Sequence, residues 1–132
     1  GEHMLEETIA HAKERKYTSG TSLAEIETVQ IHLAKMYNLV NSSVCTAKEA
    51  TRSAAAGEAD ALAKILSARI IACEMVIEAG RLGMRVGGGK AYNKSGCMER
   101  LLRDAYAGQI MAPSADVLTV WLGKAITGLP LV

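Results

Sequence analysis

Three consecutive glycines, Gly87, Gly88 and Gly89, are the residues whose type and spacing most directly suggest a binding function. Glycine has no Cβ atom, so such a run allows positive backbone φ angles and lets the main chain come close to a ligand or to another chain. A loop that only ends a helix and reverses the chain would carry the same residues. The sequence on either side of the glycines is needed to decide between a binding turn and a simple loop.

Residues that usually bind metals or form disulfides are scattered along the chain. Cys45, Cys73 and Cys97 are odd in number, far apart and without C-x-x-C spacing, which argues against a disulfide framework or a zinc site. We therefore expect buried free thiols. His11 and His32 have no second histidine or cysteine three or four residues further on, so no metal pair is expected on either helix.

Composition predicts a single helical domain. The 132 residues are 49% hydrophobic, with many alanines, only two prolines and no phenylalanine. This composition favours helices packed on small residues over a β-sheet. A chain of this length buries about two thirds of its unfolded surface, enough for one core. The fold class that follows is all-α.

Charge and hydropathy exclude several classes of partner. Fifteen basic residues against fourteen acidic ones give a net charge of +1 with no run of one sign, which disfavours nucleic acid and anionic lipid. No apolar run approaches the roughly 18 residues of a membrane span, and no secretory signal is visible. We therefore expect a cytoplasmic protein. Residues 1–3 look like a cloning remnant, and residues 4–132 form the expected domain.

The first half of the chain predicts one short and one long helix. Leu5 to Lys16 forms the short helix, and a polar turn follows. Ser22 and Glu25 match a capping box, which predicts that a long helix starts there and runs to about Ala56. Its buried stripe, with Met36 and Tyr37 in the core, is expected to contain Ile26, Val29, Leu33, Met36, Val40, Val44 and Ala47.

The second half predicts a further long helix and two shorter ones. Gly57 caps the preceding helix, and an apolar face then continues toward Met84 before the glycine run. Arg69 beside that face is interpreted as a long cation that reaches solvent. Ser95 is expected to cap a helix over Cys97 to Ala107 that ends at Gly108, and a last helix begins at Ser114 and ends at Thr127. An antiparallel bundle of four to five helices follows.

The string from Gly88 to Ala105, GGKAYNKSGCMERLLRDA, resembles the glycine turn and following helix of the acyl-CoA dehydrogenase family, G-G-x-G-[YF] and then E-R-x-x-R-D-A. The second half of the chain looks like that family's C-terminal helical domain. The resemblance implies FAD as cofactor, held between domains and shared with a neighbouring subunit. It also implies an acyl thioester substrate, from which a base takes the α proton while FAD takes a hydride.

The resemblance also implies roles for individual residues. Arg15 matches the arginine of an E-R-x-x-F-G motif, and Arg85 stands where a glutamine is common. Gly88 and Gly89 match a glycine pair that approaches the phosphates of FAD. Ser114 and Asp116 fall on the T-S-[EQ] positions that begin the last helix, whose free N–H groups can accept an anion.

The position of the usual general base holds Ala112, which cannot accept a proton, so no catalytic residue is expected in this chain. Arg103 and Asp104 are expected to form ion pairs that fix the following loop.

Two functional hypotheses remain. In the first, the chain is the FAD-contacting and oligomerising bundle, as a fragment or small subunit, of an acyl-CoA or acyl-carrier-protein dehydrogenase, inactive alone. Its partners would be another copy, through the last helix with Val117, Leu118, Trp121 and Leu122, or a flavoprotein subunit with the missing domains. In the second, it is a non-catalytic interaction or scaffold module. A metal–carboxylate bundle is set aside, because the sequence lacks E-x-x-H pairs.

Overall fold

Five α-helices make up the chain in a computed structural model that describes residues 1–131. Residues 1–131 contain no β-strand. An isolated antiparallel bridge between Lys16 and Ser22 closes the turn after α1. The all-α prediction is confirmed. The helices, in chain order, are α1 (Glu2–Glu14), α2 (Glu27–Ala55), α3 (Ala61–Ala91), α4 (Met98–Ile110) and α5 (Ala115–Thr127).

The two ends of the chain bear on the expected domain boundaries, residues 4 and 132. Glu2 and His3 belong to α1, so residues 1–3 are structurally continuous with the first helix, and their origin in cloning stays an expectation. Val132, at the other end of the expected domain, lies outside the described residues.

The long helices α2 and α3 form the central pair, and the core lies between them. They contain 29 and 31 residues, which corresponds to about 45 Å each at 1.5 Å per residue. Helix α1 adds side chains from one side and α4 from another. The buried core cluster consists of Met4, Leu5, Met36, Val40, Met75, Ala79, Leu82, Met98 and Ala105.

Helix α4 is fixed to the middle of α3 through Gly108. The Cys73 thiol donates a hydrogen bond to the Gly108 carbonyl oxygen at 3.1 Å, and Arg69 reaches the same oxygen at 3.5 Å. Arg69 is otherwise exposed, as expected of a cation that reaches solvent. The prediction that Gly108 ends the helix is wrong, because α4 continues to Ile110. Cys97, and not Ser95, is the residue that precedes its first turn.

The capping box is present, but it caps a shorter element than predicted. The Ser22 N–H donates to the Glu25 carboxylate at 2.7 Å, and Leu23–Glu25 form a single 3-10 turn. Ile26 then takes extended angles, φ −85° and ψ 123°. The long helix therefore begins at Glu27 and not at Ser22.

Part of the predicted apolar stripe on α2 and α3 faces solvent. Met36 is fully buried, whereas Tyr37 is 59% exposed and Ala47 is also exposed. On α3, Leu62 and Ile65 of the apolar face expected before Met84 are 46% and 44% exposed. The thiol prediction holds for Cys73 alone, since Cys97 is half-buried and Cys45 is exposed. All three thiols are free.

An ion cluster closes the connection between α2 and α3. Arg52 contacts Glu49 and Glu58 at 2.6 Å each, and Lys64 contacts Glu58 at 2.9 Å. Ser53, fully buried, donates a hydrogen bond to Glu58 at 2.8 Å. Hydrogen bonds from Arg52 and Lys64 lower the pKa of both Glu49 and Glu58 to about 2. Gly57 supplies the turn with a positive φ of 65°, as predicted.

None of the helices within residues 1–131 has both the length and the apolar character that a membrane crossing requires.

Candidate functional site

The glycine turn, residues 87–89, interrupts α3 near its end. Gly88 has φ 54° and ψ −141°, and one further helical turn carries the chain to Ala91. A Cβ atom at Gly87 would lie 2.4 Å from the Ala91 Cβ, so position 87 leaves no room for a side chain. A Cβ atom at Gly88 or Gly89 would meet nothing within 4 Å. The turn therefore presents exposed main chain with open space beside it, and only Gly88 uses the positive φ that was expected.

Positive charge gathers beside this turn from two helices. Burial lowers the pKa of His11, and the nearby charges of Lys90 and Arg15 lower it further, while Glu14 opposes them. Arg15 at the end of α1 and Lys90 after the glycines therefore share one neighbourhood around His11. Lys90 and His11 were not among the site residues expected from the sequence. The available signal was the position of Lys90, which follows the glycine run directly.

Arg85 belongs to a different group of charges. Its side chain is exposed, and it contributes to lowering the pKa of Glu78, after the hydrogen bond that Arg81 makes with that carboxylate at 2.8 Å. Lys35 of α2 acts on the same glutamate. The structure therefore links Arg85 with the acidic Glu78, on the face of α3 that meets α2.

A small cavity adjoins the glycine turn between α1, α3 and α4. Its volume is about 280 Å³, and His11, Glu14, Lys90 and Cys97 are among its lining residues. Pockets that enclose drug-sized ligands usually measure about 300–1,000 Å³. The cations and exposed main chain suit a phosphate group. A whole FAD molecule does not fit this cavity, so these residues fit only one end of the cofactor.

Ser114 and Asp116 begin α5 as predicted. The Ser114 hydroxyl accepts a hydrogen bond from the Val117 N–H at 3.4 Å, and Asp116 lies exposed in the first turn. This helix beginning combines free N–H groups, which attract an anion, with a carboxylate that repels one.

Helix α5 lies beside the first part of α3, far from the glycine turn. Ile126 near its end lines a cavity together with Ala63 of α3. Gly88 lies 25 residues beyond Ala63, or about 37 Å along the helix, whereas Ser114 lies 12 residues, or about 18 Å, from Ile126. Allowing about 10 Å for the cavity, Ser114 and Gly88 stay at least about 10 Å apart. The two halves of the predicted site therefore lie at separate positions on the bundle, at least about 10 Å apart.

The position expected for a general base holds only the exposed methyl group of Ala112. The nearby pair of Arg103 and Asp104 is also exposed, with 3.6 Å between Nε and Oδ1. Exposed pairs of this kind contribute about 0–1 kcal/mol. The expectation that this pair fixes the following loop is wrong, because the described contacts of Arg103 are with Asp104 and Glu99 on the same helix.

Solved structures with the same fold are larger than this chain. "FAD complex of PigA" superposes with a TM-score of 0.86 and 20% identity, covering 97% of this chain and 33% of that chain. "Structure of the glutaryl-coenzyme A dehydrogenase glutaryl-CoA complex" gives 0.83 and 21%, covering 98% and 33%. "Crystal Structure of the Prolyl Acyl Carrier Protein Oxidase AnaB" gives 0.84 and 20%, covering 97% and 33%. The chain thus spans about a third of the length of these proteins.

Sequence comparison identifies the family. Among curated proteins, none matches the chain significantly. The model of the family described as "Acyl-CoA dehydrogenase, C-terminal domain" matches residues 1–127, which is nearly the whole chain. By this match, and with the fold in agreement, the chain belongs to the acyl-CoA dehydrogenase family, and it corresponds to that family's C-terminal domain.

Proposed function

We propose that this chain is the FAD-contacting and oligomer-forming C-terminal bundle of a flavin-dependent acyl-CoA or acyl-carrier-protein dehydrogenase. The observation that carries the proposal is the turn at Gly88, where exposed main chain lies two residues before Lys90, whose charge acts on His11 together with that of Arg15. Backbone N–H groups and cations together are a usual way to hold phosphate. The reaction would convert an acyl thioester to its α,β-unsaturated form.

FAD, when bound, would supply the acceptor for the hydride. The residues of this chain would hold the phosphate end of FAD at Gly88 and Gly89, with Arg15 and Lys90 offsetting its negative charge. Arg85, Ser114 and Asp116 remain proposed contacts to the same cofactor. Because Ser114 lies at least about 10 Å from Gly88, we assign it to another part of the cofactor or to the cofactor of a neighbouring copy.

The proton has to leave through another residue. Ala112 cannot accept the proton. Asp116 lies in the first turn of α5, where its carboxylate interacts favourably with the free N–H groups of the helix. A positioned base contributes about 10²–10⁴-fold to a rate. We therefore propose that the base comes from another domain or subunit, and that the chain alone is inactive.

The proposed substrate class has support from similar proteins. One of them is described with glutaryl-CoA and another as a prolyl acyl carrier protein oxidase. Both descriptions name thioester-linked acyl groups, which fits the substrate that we propose here. We propose the cytoplasm as the compartment, because three free thiols suit a reducing environment.

Self-association is proposed through the exposed apolar residues of α5 and of the segment that follows it. Leu118 is buried, and Trp121 and Leu122 are half-buried, so these residues pack within the chain and do not form the open surface expected from the sequence. Val120 and Ile126 are 57% and 70% exposed instead. Val117 and Leu129 are exposed as well. Exposed apolar residues along one short helix are typical of a surface that another protein covers.

Reconstitution with a flavoprotein that lacks its own C-terminal bundle would test the proposal. Gly89→Val is the decisive variant, because its side chain meets open space in the chain alone but would contact a phosphate group at the turn. We expect it to fold normally yet lose flavin and acyl-thioester-dependent dye reduction together. Asp116→Asn should retain most of the activity. If Asp116→Asn abolishes turnover while flavin stays bound, the base lies in this chain.

A non-catalytic interaction module is the second candidate. It is favoured by Ala112 at the position of the base and by the separation of the two halves of the site. A complex in which the chain assembles with its partner, while Gly89→Val leaves flavin content and turnover unchanged, would support this function over the first.

A further inference from the structure

Three metal-binding side chains meet at the start of α1 and the start of α4. The ligand atoms of His3, Glu7 and Cys97 all lie within 4.8 Å of one another. His3 and Glu7 are four residues apart, so they share one face of α1. Cys97 precedes the first turn of α4. The group was not expected from the sequence, because the spacing of cysteines and histidines reveals only ligands that are close in the chain.

We propose that His3, Glu7 and Cys97 form a zinc site, with water as the fourth ligand, and that His3 is therefore a functional part of α1 and not the cloning remnant expected from the sequence. A nitrogen, an oxygen and a sulfur ligand together suit Zn²⁺, whereas Mg²⁺ and Ca²⁺ prefer oxygen alone. Glu7 and Cys97 also line the cavity beside the glycine turn, so the zinc site would border the proposed phosphate position, but its test measures metal binding alone and does not depend on flavin.

Binding of a zinc ion by these three residues requires only side-chain movement. Bonds of about 2.0–2.3 Å to a tetrahedral zinc ion place ligand atoms about 3.3–3.8 Å apart, so the group has to close by about 1 Å. His3 and Glu7 are exposed and Cys97 is half-buried, so rotation about their side-chain bonds is not blocked by the core. On binding, the thiol releases its proton to solvent, and the thiolate and carboxylate together offset the charge of the ion.

The surroundings add a further carboxylate. Glu6 Oε2 lies 3.9 Å from His3 Nδ1, beyond hydrogen-bond distance, and its charge makes the local potential more negative. A bound ion would join α1 to residues 92–97, the segment between the glycine turn and α4. The consequence would be a fixed position for that segment.

Cobalt and zinc binding to the whole chain would test the site. After treatment with a chelator, we expect one equivalent of Co²⁺ to give the visible spectrum of a tetrahedral ion together with a thiolate-to-cobalt charge-transfer band. Cys97→Ser should lose that band, and Glu7→Gln should keep it. Zinc affinity, measured by competition with a chromophoric chelator, should fall by about tenfold or more in His3→Ala, Glu7→Gln and Cys97→Ser.

Cys45→Ser is the matched control, because Cys45 is an exposed thiol on α2 outside the group. It should leave the cobalt spectrum and the zinc affinity unchanged, and circular dichroism should show the same helix content in every variant. Zinc should also slow alkylation of Cys97 but not of Cys45. Absence of the charge-transfer band in the unmodified chain, its persistence in Cys97→Ser, or unchanged zinc affinity in His3→Ala would overturn the proposal.

Discussion

Gly83 of α3 lies directly against Thr8 of α1, and a Cβ atom at position 83 would stand 2.9 Å from Thr8 Oγ1. The same atom would stand 3.0 Å from the Met98 sulfur of α4. Thr8 is buried, and its hydroxyl already donates to the Met4 carbonyl oxygen at 2.7 Å. Three helices therefore meet at a position where only a hydrogen atom fits.

Gly83→Ala should destabilise the fold. Overpacking of this kind costs about 1–3 kcal/mol, which exceeds the gain of about 0.5–1 kcal/mol from replacing glycine by alanine in a helix. Gly108→Ala is the control, because its Cβ would lie 3.4 Å from the Cys73 sulfur, an ordinary contact. We expect it to be neutral or slightly stabilising in urea unfolding followed by circular dichroism. Equal losses in both variants would contradict the role given to position 83.

The ion cluster predicts a loss of stability in acid. The pKa of Glu49 and Glu58 is lowered to about 2 from an ordinary 4.5 by hydrogen bonds from Arg52 and Lys64. Their contribution is therefore present above about pH 4.5 and is lost as the pH falls toward 2. The melting temperature should fall over this range more steeply in the unmodified chain than in Glu58→Gln. Glu74→Gln, an exposed control on α3, should follow the unmodified chain.

Self-association should depend on α5. Ile126→Lys places a charge at the most exposed apolar position of this helix and should shift the sedimentation coefficient toward that of a monomer, because burial of the charge opposes assembly. Ile31→Lys changes an apolar residue of α2 that is 53% exposed and should leave the assembly intact. A monomer at tens of micromolar for the unmodified chain would contradict the proposed interface.

The chain alone should bind FAD weakly or not at all. The cavity beside the glycine turn, about 280 Å³, is too small to enclose the cofactor, so the proposed contacts reach only its phosphate end. Gel filtration after incubation with FAD should give a colourless protein. A yellow protein with nearly one flavin per chain would mean that the flavin ring has a site within these helices.

Helix ends could be predicted where the residue type alone decides them. Gly128 takes φ 72° after α5, and Ser114 caps the same helix, both as expected. The prediction at Gly108 failed because α4 continues through this residue to Ile110, where the Gly108 carbonyl oxygen accepts a hydrogen bond from the Cys73 thiol. Such a contact joins residues 35 positions apart, and the local sequence does not reveal it.

The buried face of α2 shows a second limit of prediction. Met36, Val40 and Val44 are spaced by four residues. Each step of four rotates the side-chain direction about the helix axis by about 40° beyond a full turn. The buried line instead continues from Val40 to Ser43 and Ala50, which keeps it facing α3. Val44 still packs against the core as predicted, whereas Ala47 is exposed. Small polar and alanine positions carry a weak apolar signal, so the sequence pattern missed Ser43 and Ala50.

The candidate site is predictable in its parts but not in its arrangement. The sequence identifies the glycine turn and the start of α5, because each is a local pattern. Their separation depends on how α5 packs along α3, and the grouping of Arg15 with Lys90 depends on where α1 ends. Both are long-range packing outcomes.

Part of α3 lies between the level of Ser114, at the start of α5, and the glycine turn. Because a helix is stiff, this part sets the distance between Ser114 and Gly88. A single molecule that contacts both Gly88 and Ser114 of one chain must itself extend over at least about 10 Å. Free phosphate can occupy only one end at a time, whereas an extended dinucleotide can reach both. If Gly88 and Ser114 of one chain contact the same molecule, as proposed, the bundle would discriminate among ligands by their length.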